Sequence, residues 1–228
     1  MLFLALSCLQ GRPLGGAYAE LAALPGVDGI QLTPGCQPTP GFAPTGITRT
    51  HHGFTPRAFR TRAVWSDDGT CLVASDSVHP PRADAPAAAH FLERPAPILE
   101  TMYPGYALGD GTALVDAMRR GLPLAVDVSH LFMQRAQGCL DEATLARVLD
   151  YDRVAEVHVS ANDGRRDLHA PLTADSFGLA WARERLAQLP VILECYFHQL
   201  TADQRRAQID LVREGGSACL PTRSMLAS

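Results

Sequence analysis

The chain has 228 residues, 46% of them hydrophobic and 19% charged, with a formal net charge of −4 and a sequence pI near 6.0. That is an ordinary globular composition, and its acidic balance argues against a dedicated nucleic-acid binder, which carries a clear basic excess. All 20 basic residues are Arg, so no Lys is available to form a Schiff base or to act as a general base.

The opening run Met1 to Cys8 is apolar but lacks the positive flank of a signal peptide and reads as a first buried strand, Leu2 to Leu9. Gly15 to Leu24 follows as a short helix with Tyr18, Leu21 and Leu24 at helical spacing. Gly29 to Leu32 is a second strand. Pro34 to Gly46, with four prolines and three glycines, is loop where a helix would otherwise return. Ile47 to Phe54 is a third strand ending in His51-His52, and Cys71 to Val78 a fourth, ending in His79. Asp84 is placed to cap a short Ala-rich helix, Ala85 to Leu92.

From there the alternation becomes regular. Strand five is Pro97 to Glu100, followed by a helix from Thr112 to Arg120 that Gly121 stops. Strand six is Leu124 to Val128, and Asp141 to Leu149 is a helix. Strand seven is Val154 to Val159, then a helix from Ser176 to Leu189, and strand eight is Val191 to Cys195. Thr201 caps a final helix that runs to about Glu214, where Gly215-Gly216 end it.

Eight strands alternating with helices predict a parallel sheet, and the count favours a closed (β/α)8 TIM barrel, helix-depleted in its first half. We read residues 1–228 as a single domain of this kind. The six cysteines are scattered with no C-x-x-C pair, so they are expected to be reduced in a cytoplasmic protein. No stretch approaches the roughly 20 apolar residues of a membrane span.

Metal-capable side chains stand at the ends of successive strands: His51 or His52, His79, Glu100, Asp127 with His130, His158, and Glu194. Asp167 and His169 form an Asp-x-His pair in the turn after strand seven. Taken singly, each has an ordinary explanation: a strand-end His is commonly a hydrogen-bonded core residue, Asp127 an N-cap, Asp167 a turn residue. Six consecutive strands each delivering such a residue to one barrel rim predict a shared metal site. Mixed imidazole and carboxylate ligands suit Zn, Mn, Fe or Co rather than Mg or Ca. His90, His198 and the cysteines are left as structural or surface residues.

These residues resemble the xylose isomerase-like, or AP-endonuclease family 2, TIM-barrel superfamily. The matching stretches are His51-His-Gly-Phe54, Val78-His-Pro-Pro81, Leu99-Glu-Thr101, Asp127-Val-Ser-His130, Ile192-Leu-Glu194 and, most specific, the block from His158 to His169. The resemblance covers residues 47 to 195 well and the first 46 by element order only. It implies a divalent metal (Mn, Zn, Co or Fe) on Glu100, Asp127, His158 and Glu194, with the two glutamates passing a proton to and from a small sugar or hydroxy-carbonyl substrate in an isomerase or epimerase.

His51, His79, His130, Asp167 and His169 fill the positions of further ligands or their supporting groups, for one to three ions per chain. That completeness implies an alternative, a multinuclear enzyme: an iron-dependent peptide-modifying oxidase with a partner protein, or an endonuclease IV-like zinc phosphoesterase. His52, Arg165 and Arg166 are the expected substrate-binding side chains. The helix-poor side would be covered by a second copy or a protein partner. Ala161 stands where the family usually has Asp, and Pro171-Leu-Thr replaces its Gly-Glu-Gly, departures that bear on substrate choice.

Overall fold

Short runs of three to six residues, most of them apolar, form the main strands that set the architecture. The structure, a computed structural model, describes residues 1–51, 60–62, 72–89 and 98–214. Strand β1 is Leu2–Ala5, β2 Gly29–Leu32, β3 Thr48–Thr50, β4 Arg60–Arg62, β5 Leu72–Ala74 and β6 Ser77–Val78. The later strands are β7 Ile98–Glu100, β8 Leu124–Asp127, β9 Val154–Val159 and β10 Val191–Leu193. Eight of them form one sheet in the order β3-β2-β1-β10-β9-β8-β7-β6, with parallel pairing throughout. The two edges meet at a parallel bridge from His51 to Ser77, and Asp76 N donates to Thr50 O at 3.0 Å. The sheet is a nearly closed (β/α)8 barrel.

The helices are α1 Leu14–Ala22, α2 Gly111–Arg119, α3 Val128–Ala136, α4 Glu142–Leu149, α5 Leu179–Arg185 and α6 Ala202–Arg213. Among the described residues, α1 is the one α-helix before β7. The outward faces of the strands pack against these helices: Leu2, Leu4, Leu99, Leu124, Val157, Val191 and Leu193 are all fully buried. Each contributes about 1.5–3 kcal/mol of burial. Inside the barrel Phe3 lies over Gly29, where a Cβ would come within 2.5 Å of its ring. Glycine there leaves the aromatic ring room inside the barrel.

Several boundaries differ from the sequence reading, each for a local reason. The first strand stops at Ala5 and continues as a 3-10 turn, Leu6–Leu9. The fourth strand divides at Ser75-Asp76. Asp76 Oδ2 accepts from Thr50 N at 2.7 Å and Ser75 Oγ donates to Ser77 O at 2.6 Å, side-chain bonds that replace strand pairing. Its first part, β5, pairs antiparallel with β4 outside the barrel. The Ala-rich segment forms a 3-10 turn at Pro86–Ala89; the rest of that predicted helix, with His90, lies outside the described residues.

Strand six ends one residue early because Asp127 caps α3, a helix absent from the sequence reading, with no intervening loop. The helix expected from Ser176 begins only at Leu179, after Gly178 adopts a left-handed conformation with φ 74°. Thr201 and Gln204 form the expected cap of α6 as a reciprocal capping box. No described helix is long and apolar enough to cross a membrane.

Candidate metal centre

Six barrel strands deliver side chains to one point at the C-terminal rim. Glu100 ends β7, Asp127 ends β8, His158 stands near the end of β9 and Glu194 directly follows β10; all four are buried. One ligand-capable atom from each lies within 4.8 Å of the other three. His51, just past β3, joins Glu100 and His158 in a second group within the same limit.

Further groups border this centre on two sides. His51 Nε2 and His79 Nε2 lie 3.0 and 2.7 Å from Glu100 Oε2. On the other side, His130 Nε2 and His169 Nε2 lie 3.5 and 3.1 Å from Asp167 Oδ2, and His169 Nδ1 lies 3.9 Å from Glu194 Oε2. The four positions expected as ligands and the five expected as further ligands or their supporting groups are thus neighbours. The choice between His51 and His52 is resolved only to the extent that His51 is buried here, since His52 lies outside the described residues. Arg165 and Arg166 are exposed on the turn, where their backbone N–H groups donate to Asp163 Oδ1 at 2.9 Å and the Arg166 guanidinium pairs with Asp163. No contact joins either guanidinium to the centre.

Local backbone geometry aims several of these side chains. Asp127 has two tasks: Oδ1 accepts from Ser129 N and His130 N at 2.7 and 3.1 Å, starting α3, while Oδ2 is buried without a hydrogen bond. Its own N–H donates to Thr101 Oγ1 at 3.0 Å, and His130 Nδ1 lies 2.9 Å from Thr101 O. A carbonyl can only accept, so His130 Nδ1 carries the proton and a neutral ring leaves Nε2 bare. His169 sits at φ 43°, a conformation that costs a non-glycine residue on the order of 1–3 kcal/mol. It is held there by paired bonds between Ala161 and Ala170 and by the bond from Tyr196 N to His169 O at 3.0 Å.

Electrostatics at the rim follow from burial set against close opposite charges. Burial pushes the Glu100 carboxyl up, but the imidazoles of His79, His51 and His158 outweigh it and hold it well below the ordinary range. Burial raises Asp127 to about 6, with His130 opposing. For His130, burial disfavours the cation, yet Asp127, Asp167 and Glu100 push it up to about 10. The same contest, settled by Asp167 and Glu194, takes His169 to about 9. His158 rises well above its usual value against its burial, chiefly through Glu194, Glu100 and Glu156. His51 goes the other way because burial dominates.

Does this constellation fit a metal ion? Buried polar atoms ordinarily find hydrogen-bond partners. Here both oxygens of Glu100, Asp127 Oδ2, His51 Nε2, His130 Nε2, His158 Nδ1 and His169 Nδ1 are all buried without one. Orphaned lone pairs converging from several strands, on hard oxygens and borderline nitrogens, suit a divalent transition ion. The residues fit the group.

The sequence reading passed over Glu156, which is fully buried on β9 with Oε1 2.6 Å from His158 Nε2. Period two was the available signal, since residues 156 and 158 share a strand face. Tyr103 and Tyr196 were also missed; their rings lie 5.0 and 4.9 Å from those of His130 and His169. Cys195 faces the other way, its Sγ 3.8 Å from Gln208 Oε1 on α6, and His198 is an exposed residue near Cys8 O, as expected for both.

No protein-family model and no curated protein matches the chain. Among solved structures, one described as the crystal structure of a D-tagatose 3-epimerase-like protein is similar, with a TM-score of 0.56 over 94% of this chain and 97% of that chain. The two share 11% sequence identity. At that identity the likeness speaks for the fold, and it bears out the TIM barrel read from the sequence.

Proposed function

We propose that the chain is a divalent-metal-dependent isomerase or epimerase acting on a small hydroxy-carbonyl compound, a sugar by preference. The observation that carries this reading is the approach of Glu100, Asp127, His158 and Glu194 to within 4.8 Å at a barrel rim. When bound, a divalent cation would supply Lewis-acid stabilisation of negative charge developing on a substrate oxygen. The chain's own groups would move the proton. Glu194, 6% exposed against 0% for Glu100, is the better placed to meet a substrate carbon directly. Glu100, with His51 and His79 against Oε2, would return the proton with His79 as its link to solvent, since the His79 side chain is 38% exposed. A cleft of about 370 Å3 past β8 and β9, lined by Ser129, Ser160, Asn162, Phe132 and Phe177, offers room for the rest of a polyhydroxylated molecule.

A second reading, a multinuclear metalloenzyme, is favoured by the flanking His51–His79 and His130–Asp167–His169 groups. Its form is an iron-dependent peptide-modifying oxidase or a zinc phosphoesterase, and the net charge of −4 opposes a DNA duplex as substrate. The test is elemental analysis of protein purified without chelator, joined to solvent-hydrogen exchange at the substrate carbon. One Mn, Co or Zn per chain, with exchange abolished by Glu100→Gln or Glu194→Gln, supports the first reading. Exchange retained in both variants sinks it, and two or three Fe or Zn per chain selects the second.

A further inference from the structure

Beneath the rim, where barrels of this kind pack branched apolar side chains in layers, this one holds Gln31, Arg49, Ser77 and Glu156. Glu156 Oε1 accepts from Gln31 Nε2 at 2.9 Å and from Ser77 Oγ at 2.7 Å, and it lies 2.6 Å from His158 Nε2. Its Oε2 accepts from Arg49 Nε at 2.6 Å. A carboxylate paired with a guanidinium only accepts, so His158 Nε2 must be the donor. A neutral imidazole has one N–H. In the neutral ring that a metal ligand must be, that proton is committed to Glu156 and His158 Nδ1 is the bare lone pair, 3.2 Å from Glu194 Oε1 and 3.5 Å from Glu100 Oε1.

The same accounting reaches one residue further. Ser77 has a single hydroxyl hydrogen, and it goes to Glu156. Its oxygen can therefore only accept from His51 Nδ1, 2.7 Å away. His51 Nε2 is left bare, 3.0 Å from Glu100 Oε2. In that neutral state each nitrogen lone pair faces a carboxylate oxygen, a repulsion that a cation between them relieves and that, for His158, a second proton relieves when no cation is bound.

We propose that Glu156 is a positioning residue that sets the tautomers of two imidazoles from inside the barrel, His158 directly and His51 through Ser77, so that each presents a bare nitrogen to the cation. This rests on the metal-dependent reading above. Gln31 and Arg49 occupy the remaining acceptor positions of the carboxylate and keep it from turning. A merely structural Glu156, present only to neutralise Arg49, would leave the imidazole tautomers indifferent to its replacement.

The test is Zn2+ affinity, by competition with a chromophoric chelator, together with long-range 1H–15N spectra of the zinc-loaded protein. In the wild type His158 is expected to carry its proton on Nε2 and His51 on Nδ1. Glu156→Gln is expected to weaken Zn2+ binding by about 10–100-fold and to mix the His158 tautomers. Ser77→Ala is expected to mix those of His51 while leaving His158 as it was. Glu156→Gln strands the Arg49 charge, so Glu156→Gln with Arg49→Met, which removes both charges, is read in the same way if the single variant does not fold. Affinity within about twofold of wild type with both tautomers unchanged would overturn the proposal. Absence of any Zn2+ or Mn2+ binding by the wild type would instead overturn the metal-dependent reading, and this inference with it.

Discussion

Binding of a divalent cation at the rim is expected to expel protons, and the structure fixes how many and over which pH range. Without a cation the neighbouring carboxylates hold protons on His130 and His169 up to about 10 and about 9, and on His158 well above the ordinary histidine value. Near neutral pH each of these rings is charged, and any that becomes a ligand must lose one proton. A cation held by Glu100, Asp127, His158 and Glu194 displaces one, from His158. Its affinity then falls about tenfold for each unit drop in pH, about 1.4 kcal/mol per unit. Asp127, raised to about 6, adds a second proton below that pH and steepens the fall to about a hundredfold per unit. Recruitment of His130 or His169 would bring that steeper slope up to neutral pH, so the slope counts the imidazole ligands.

Isothermal titration calorimetry with Mn2+ between about pH 6 and 8, repeated in buffers of different ionisation heat, reads the protons released directly. A flat affinity over that range, with no buffer-dependent heat, would refute the electrostatic picture of the rim.

Two substitutions separate roles that the structure combines in one residue or one contact. Asp127→Asn keeps an Oδ1 acceptor for the Ser129 and His130 N–H groups but replaces the orphaned Oδ2 with a donor. Stability of the metal-free protein is expected to stay within about 1 kcal/mol while metal affinity falls at least about tenfold; an unchanged affinity would remove Asp127 from the ligand set. Gly178→Ala would place a Cβ 2.5 Å from Val128 Cβ at a φ of 74°. It is expected to cost about 2–4 kcal/mol in urea unfolding, and a loss below about 1 kcal/mol would mean that the junction of α3 and α5 yields easily.

Much of the barrel was legible because its signals are local. Gly29 to Leu32 is bounded as read, and Asp141, Thr201 and Gly121 act where short-range helix chemistry puts them. Asp127 shows where that approach fails. A strand end, a helix cap and a buried rim carboxylate fall on one residue, and alternation carried the strand one position too far, so α3 went unread. The antiparallel pairing of β4 with β5 is set by backbone hydrogen bonds between two three-residue strands, too short for an alternation pattern to announce. Glu156 failed for a related reason: its partners Gln31, Arg49 and Ser77 are 125, 107 and 79 residues away, and nothing beside it in the chain announces them. The convergence of the rim residues was legible because barrel topology alone gathers strand ends, whatever their separation in sequence.

The same contacts argue that the rim does not serve the fold. Burying ion pairs of this kind is seldom better for stability than a packed apolar layer, because desolvation offsets the attraction. Here the geometry is costly, since Glu100 is fully buried and its two oxygens face several imidazole nitrogens at 2.7–3.5 Å rather than one well-made partner. His169 adds backbone strain on the order of 1–3 kcal/mol. A cation that satisfies these lone pairs would bind the folded chain and not the unfolded one. At about a hundredfold excess over its Kd it would contribute about 2.7 kcal/mol, enough to offset the His169 strain. On the metal-dependent reading proposed above, the rim is a feature that the cation-free fold tolerates and a cation would turn to use.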